Sequence, residues 1–431
     1  MKGTNSDSPI FFGWYIVATC FFIAFLTVGV RNAFGIFVIP MSEEFGWTRT
    51  TISLAAASGF LINGITQPFL GHLFDRIGGR RVIVVGLVLI GICTLLLSLT
   101  FHILFMLVVF SFLLSTALSG PSLTNTMALI SKWFKRRRAT AISINTVGTS
   151  FGGLILVPFA MYFLQAAGWR MTWLILGLLI LFLAVPLSLL FIRENPEALG
   201  LLPDGDKEYQ EQGEREKKED YLGEFEVDHW IKSFRSSPMW QLSAAYVVCG
   251  VTTGMISTHF VPFAIERGIS PGQAALIFGL MMGLNSLGGI GAGVLSDKFG
   301  RKNVLAAVYL LRGIGYVMLV CIPSSLGMWA FAVAAGFSWV ASVPLTSALT
   351  ADVYGLRVLA TISGVTFMCH QVGSFIMVLL AGFLFDLTGS YTLPFAIAGS
   401  LLFPAALAAF SINEKKYSIR YRAQREEVVT Y

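Results

Sequence analysis

Four basic side chains, Arg31, His259, Arg312 and His370, stand inside long apolar stretches, whereas the acids Glu43, Glu44, Glu266, Asp352 and Asp386 fall at the ends of such stretches. Ionisable groups inside a bilayer are costly and mark a pathway or a structural pair. Positive charge left without acids in a low-dielectric cavity takes an anion as its natural partner, because the opposite charge offsets the desolvation cost. Counted along a helix over 12–39, Arg31 lies about 30 Å from one end and about 12 Å from the other, in the outer part of a pathway. His370 and Asn285 fall near the middle of their stretches and are first candidates for substrate contact. Asn125 and Asn145 are amide candidates for a carboxylate or hydroxyl, or else glue between helices. Trp339 is a candidate cavity wall, Arg312 reads as an interhelical hydrogen-bonding residue, and His259 is equally readable as a structural histidine. With no central carboxylate, proton coupling would fall to His259 or His370.

The elements that must position these residues are membrane helices. Of 431 residues, 55% are hydrophobic and 13% charged, and the mean hydropathy of +0.73 excludes a water-soluble globule. The apolar stretches are too long for the alternating strands of an outer-membrane barrel. Twelve of them reach the roughly 20 residues a span needs: 12–39, 50–71, 82–100, 103–130, 139–166 and 170–192, then 239–265, 272–296, 303–322, 325–351, 358–385 and 391–411. Residues 193–238 form a charged linker that cannot enter a bilayer, and 413–431 a basic tail. The expected fold is an all-α membrane protein with two pseudo-symmetric six-helix bundles, 1–192 and 239–412.

The two halves repeat. Gly71-His-Leu-Phe-Asp75-Arg76-Ile-Gly78-Gly-Arg80-Arg81 returns 222 positions later as Gly293-Val-Leu-Ser-Asp297-Lys298-Phe-Gly300-Arg301-Lys302. Such a period implies a duplication with a cavity between the halves. Most loop Lys and Arg residues, among them Lys132, Lys135, Arg136, Arg137, Arg138 and Arg357, fall on one side by helix counting. The positive-inside bias therefore puts both termini and the linker in the cytoplasm. The formal charge of +6 belongs to these loops and to lipid headgroups, and calls for no nucleic acid. Cys20, Cys93, Cys249, Cys321 and Cys369 are scattered singly, so neither a disulfide nor a metal site is expected. No nucleotide-binding loop and no catalytic constellation appears, so no cofactor and no enzyme activity are expected.

The repeated loop resembles the signature loop of the major facilitator superfamily. The glycines permit close helix contact, Asp75 can accept hydrogen bonds, and Arg76, Arg80 and Arg81 anchor at headgroups. With Asp297, Lys298, Gly300 and Arg301 in the second copy, the cluster could latch one face of the molecule shut. Gly13-Trp14, Phe45-Gly46-Trp47 and the run Trp133-Phe134-Lys135-Arg136-Arg137-Arg138-Ala139-Thr140-Ala141 resemble the monocarboxylate transporters and the related oxalate–formate antiporters. That resemblance implies transport of a small organic anion, a mono- or dicarboxylate, by alternating access in the cytoplasmic membrane, with a proton in some relatives and by a monomer. The chain departs from the pattern in its eighth stretch, where Gly289 stands at the position of an anion-pairing arginine and Asn285 at that of an aspartate. In the eleventh, His370 falls where the antiporters carry a lysine. A drug or metabolite exporter of the same fold and a transporter-like membrane sensor are the alternatives.

Overall fold

A computed structural model describes residues 11–134, 137–205, 230–322, 324–354 and 359–417. Lys135, Arg136, Arg357, most of the linker, the end of the tail and the side chains of Asp75 and Arg138 lie outside the described residues.

The described chain is built of helices. Those long enough to span a bilayer are α1 Phe12–Phe45, α2 Arg49–Ile77, α3 Gly79–Leu97, α4 Ile103–Trp133, α5 138–167, α6 169–191, α7 Ser237–Glu266, α8 Pro271–Phe299, α9 Arg301–Cys321, α10 Ser325–Tyr354, α11 Leu359–Thr388 and α12 Thr392–Phe410. Local chemistry sets several starts. Thr48, Ser122 and Ser270 cap α2, the second half of α4 and α8 by accepting from the N–H groups of Thr51, Asn125 and Gln273. α5 and α6 are separated only by Gly168, whose φ of 82° lies in the left-handed region and stops the helix.

Four of the described helices are interrupted within the span, α12 among them at Leu401. α1 bends at Ala33. α4 breaks at 119–122, where Pro121 offers no N–H, and α10 breaks at 339–341. The helix runs on through Pro40, Glu43 and Glu44, so α1 ends at Phe45 and not at residue 39. Arg31 consequently sits about 28 Å from one end of α1 and about 21 Å from the other. This corrects its expected outer position to a nearly central one.

The two bundles touch along the halves of their helices remote from the linker. The Asp386 carboxylate of α11 accepts from the Arg49 and Thr50 N–H groups at the start of α2, at 2.9 and 2.8 Å. A Cβ added at Gly279 of α8 would lie 2.8 Å from the Leu154 carbonyl oxygen of α5, and one at Gly35 of α1 would lie 3.0 Å from the Thr258 carbonyl oxygen of α7. Absence of a side chain is what permits these approaches. Nearer the linker, a Cβ at Gly71, Gly289, Gly291, Gly293 or Gly364 would meet no atom within 4 Å. Among the described residues, the hydrogen bonds between the bundles thus lie at mid-depth and toward the end opposite the linker.

Candidate functional site

Where the bundles begin to part, a pocket is lined by Arg31 and Phe34 of α1, Phe60 and Asn63 of α2, Ser115 of α4 and Ser257 of α7. The half-buried Arg31 guanidinium lies 4.8 Å from the Phe60 ring centroid. Among the described residues no hydrogen bond or ion pair engages it. A guanidinium always carries its charge and presents five donors in a planar fork suited to a carboxylate. Arg31 is therefore an uncommitted cation at mid-depth.

The other sequence candidates divide by what already occupies them. Asn125 is buried and its amide donates to the Gly120 and Ser119 carbonyls at 2.8 and 3.2 Å, satisfying the break in α4. Asn145 donates to Thr126 Oγ1 at 2.9 Å within the same bundle. Asn285 accepts from the Val340 N–H at 3.2 Å, which satisfies the break in α10. Trp339 stands at that break, with its indole N–H on Thr253 Oγ1 at 2.9 Å. His259 is fully buried, Nε2 lying 3.1 Å from the Val378 carbonyl and the ring against Tyr391. All five residues make contacts inside their own bundles, and Asn145 Oδ1 and His259 Nδ1 are buried without a hydrogen-bond partner among the described residues. Broken helices leave carbonyls and N–H groups that buried amides must satisfy.

His370 is buried between Tyr246 of α7, at 5.0 Å between ring centroids, and Phe367 of its own helix. Its Nδ1 lies 3.2 Å from Gln371 Oε1, and Gln371 reaches across to α2. Arg31 and His370 thus flank one inter-bundle contact, Arg31 over the Phe60 ring and His370 joined through Gln371 to the Phe60 carbonyl.

Arg312 of α9 is buried and pairs with no carboxylate among the described residues. Its fork donates to Thr252 Oγ1 of α7 at 3.0 Å, to the Trp339 carbonyl at 2.6 Å, to Ser342 Oγ at 3.1 Å and to the Ser338 carbonyl. These carbonyls end the first half of α10, where the helix dipole is negative, so the partial charges of backbone stand in for an acid.

In the repeated loops, Arg80, Arg301 and Lys302 are tied within their own bundles. Gly78 and Gly300 take φ values of 97° and 87° at the turns into α3 and α9, which only glycine adopts without strain. Glu194 accepts from the Arg80 N–H at 3.1 Å and pairs with Lys132 at 2.6 Å. Glu414 accepts from the Arg301 and Lys302 N–H groups at 3.2 and 3.1 Å. Arg80 donates to the Leu189 carbonyl at the end of α6, and Lys302 to the Phe410 carbonyl at the end of α12. Arg301 pairs with Asp352 at 3.0 Å, Lys298 lies over the Phe299 ring, and the Arg76 and Arg81 side chains are exposed.

The sequence reading missed Glu194 and Glu414, although Ile192-Arg193-Glu194 and Ile412-Asn413-Glu414 recur 220 positions apart. It missed Asn63 and Gln371 as well, uncharged amides in apolar stretches whose meeting depends on how the bundles dock.

The Major Facilitator Superfamily model matches residues 20–377 and 242–428. The chain belongs to the Major Facilitator Superfamily. Among curated members, it is 27% identical over 394 residues to the MFS-type transporter YcxA of Bacillus subtilis, covering 89% of this chain and 91% of that one. It is 26% identical over 440 residues to monocarboxylate transporter 12 of Rattus norvegicus, covering 96% and 88%. Two solved facilitator folds superpose on it. A bacterial homologue of the human lysosomal transporter Spinster, in an inward-facing conformation, gives a TM-score of 0.66 at 16% identity over 93% of this chain and 95% of that one. The nucleoside transporter NupG gives 0.71 at 12% identity over 92% and 99%. The twelve-helix, two-bundle fold expected from the sequence is the one observed, and this facilitator-superfamily chain is a multi-pass membrane transporter, not an enzyme.

Proposed function

We propose that the chain carries a small organic anion, a mono- or dicarboxylate, across the cytoplasmic membrane by alternating access around the pocket at Arg31. The carrying observation is the Arg31 guanidinium, half-buried at mid-depth against the Phe60 ring and engaged by no hydrogen bond or ion pair among the described residues. A carboxylate that pairs with it recovers part of the desolvation both groups have lost. The names of relatives such as monocarboxylate transporter 12 support the same cargo class. The basic loops support a topology with the linker in the cytoplasm, which makes the linker end, where no hydrogen bond joins the bundles among the described residues, the cytoplasmic one. His370 is the titratable group nearest the pathway and the candidate for proton coupling; His259 is locked inside its bundle.

Departure of Gly289 and Asn285 from the relatives' charged pattern leaves Arg31 as the principal anion anchor. Uptake of radiolabelled pyruvate or lactate into proteoliposomes, challenged with unlabelled carboxylates, amines and sugars, tests the proposal. Competition by carboxylates alone is the expected result. Competition by amines alone would remove the anion reading.

A further inference from the structure

At mid-depth one side chain ties α11 of the second bundle to α2 of the first. Gln371 Nε2 of α11 donates to the Phe60 carbonyl at 3.2 Å and to Asn63 Oδ1 at 3.1 Å, both on α2. Asn63 in turn donates from Nδ2 to the Ser115 carbonyl at 3.2 Å and to Ser119 Oγ at 2.9 Å, which ties the clasp to the broken helix α4. All of these groups are buried. The approach is enforced by Gly64 of α2, where an added Cβ would lie 2.9 Å from Gln371 Cβ.

The hydrogen-bond roles in this chain follow without ambiguity. A backbone carbonyl only accepts, so the nitrogen of the Gln371 amide faces Phe60 and the oxygen faces His370. That oxygen also only accepts, so His370 Nδ1 must carry a hydrogen. Nε2 is then the nitrogen that takes up a second proton. The titratable and charged groups around the ring are Tyr246 and the Cys249 thiol on α7, with Arg312 on α9 behind Cys249 at 3.7 Å. On the α2 side the nearest charge is Arg31, over the Phe60 ring.

Resting on the transport reading above, we infer that Gln371 is a positioning residue that transmits the protonation state of His370 to the N-terminal bundle, holding the molecule open toward the linker when the imidazole is charged. A proton on Nε2 makes the Nδ1–H···Oε1 bond charge-assisted, which strengthens it. Withdrawal of electron density from the amide oxygen makes the Nε2 hydrogens of Gln371 better donors to Phe60 and Asn63. Opening the opposite end requires α2 and α11 to separate and these bonds to break, so the charged state opposes that opening. Loss of the proton relaxes the clasp and frees the return step.

Spin labels introduced as unnatural amino acids at the exposed Leu73 of α2 and Leu295 of α8 report the separation of the open ends in full-length protein in proteoliposomes. For the wild type, lowering the pH from about 8 to about 5.5 is expected to raise the ratio of long to short distances by roughly fivefold or more. Gln371→Leu is expected to abolish this shift, and Gln371→Met, which likewise removes both bonds to α2, to do the same should the leucine variant fold poorly. A pH-independent wild type, or a shift that survives in a folded clasp variant, overturns the inference. Uptake measured on the same vesicles separates the two readings. A shift lost in Gln371→Leu without carboxylate transport sinks the cargo and leaves the clasp, whereas carboxylate transport with a surviving shift does the reverse.

Discussion

The Arg312 guanidinium donates to the Trp339 carbonyl at 2.6 Å, so a permanent charge buried on α9 caps a break in α10. The same break receives Asn285 at the Val340 N–H. In the first half of the chain the corresponding break in α4 is satisfied from its own helix by Asn125. The duplicated halves thus solve one backbone problem with different side chains.

Replacing Arg312 tests that role. Arg312→Met removes the charge, takes the guanidinium from the buried Ser338 carbonyl and leaves the Trp339 carbonyl with Ser342 Oγ alone, at about 1–3 kcal/mol for a buried group left unpaired. Arg312→Lys keeps the charge, yet an ammonium cannot span α7 and both carbonyls as the planar fork does. Both variants are expected to melt below the wild type in detergent, the lysine variant recovering less than half of the loss.

Glu194 gives a pH prediction. Burial alone would raise its carboxyl, but the Lys132 ammonium and the Arg80 and Gly79 N–H groups outweigh burial and hold it below the usual carboxylate range. A carboxyl depressed in the folded state stabilises above its unfolded value, about 4.3, and that stabilisation disappears as the pH falls through the folded value. Glu194→Gln is therefore expected to lose roughly 1 kcal/mol near neutrality, the worth of a helix cap. Thermal melts should show the gap from the wild type closing below about pH 4.

Close approach at Gly279 gives a conformational prediction. A leucine there would collide with the Leu154 carbonyl and Pro158, prying apart the closed end while leaving each bundle intact. Gly279→Leu should shift the population toward opening at the end opposite the linker, reducing thiol labelling of a cysteine placed at Gly289. Unchanged labelling would mean that this contact does not hold the end shut.

Much of this was legible in the sequence, for reasons that differ by residue. Twelve apolar stretches fix twelve helices because bilayer thickness sets their length, and the repeat of Gly71–Arg81 at Gly293–Lys302 fixes two bundles. Arg31 was found because a charge in an apolar run has few explanations. Its place along the helix differs from expectation because the apolar stretch ends at residue 39 whereas the helix continues to Phe45. The amides were harder. Asn125, Asn145 and Asn285 have the same chemistry as a substrate contact, and only the positions of the breaks at 119–122 and 339–341 show that Asn125 and Asn285 serve backbone, while Asn145 bonds the Thr126 hydroxyl. Gln371 and Asn63 meet across a docking interface that no local pattern encodes.

The central claim is that Arg31 anchors an anionic cargo. An anion-binding guanidinium contributes about 1.5–3 kcal/mol through a charged hydrogen bond, so its loss should lower uptake at subsaturating substrate by roughly 10- to 100-fold. The most direct measurement compares the initial rate of radiolabelled monocarboxylate uptake into proteoliposomes for the wild type and Arg31→Gln, with matched protein insertion and melting temperature. A drop of that size in the variant is the predicted result; equal rates, or transport of a cation that the variant improves, would contradict it.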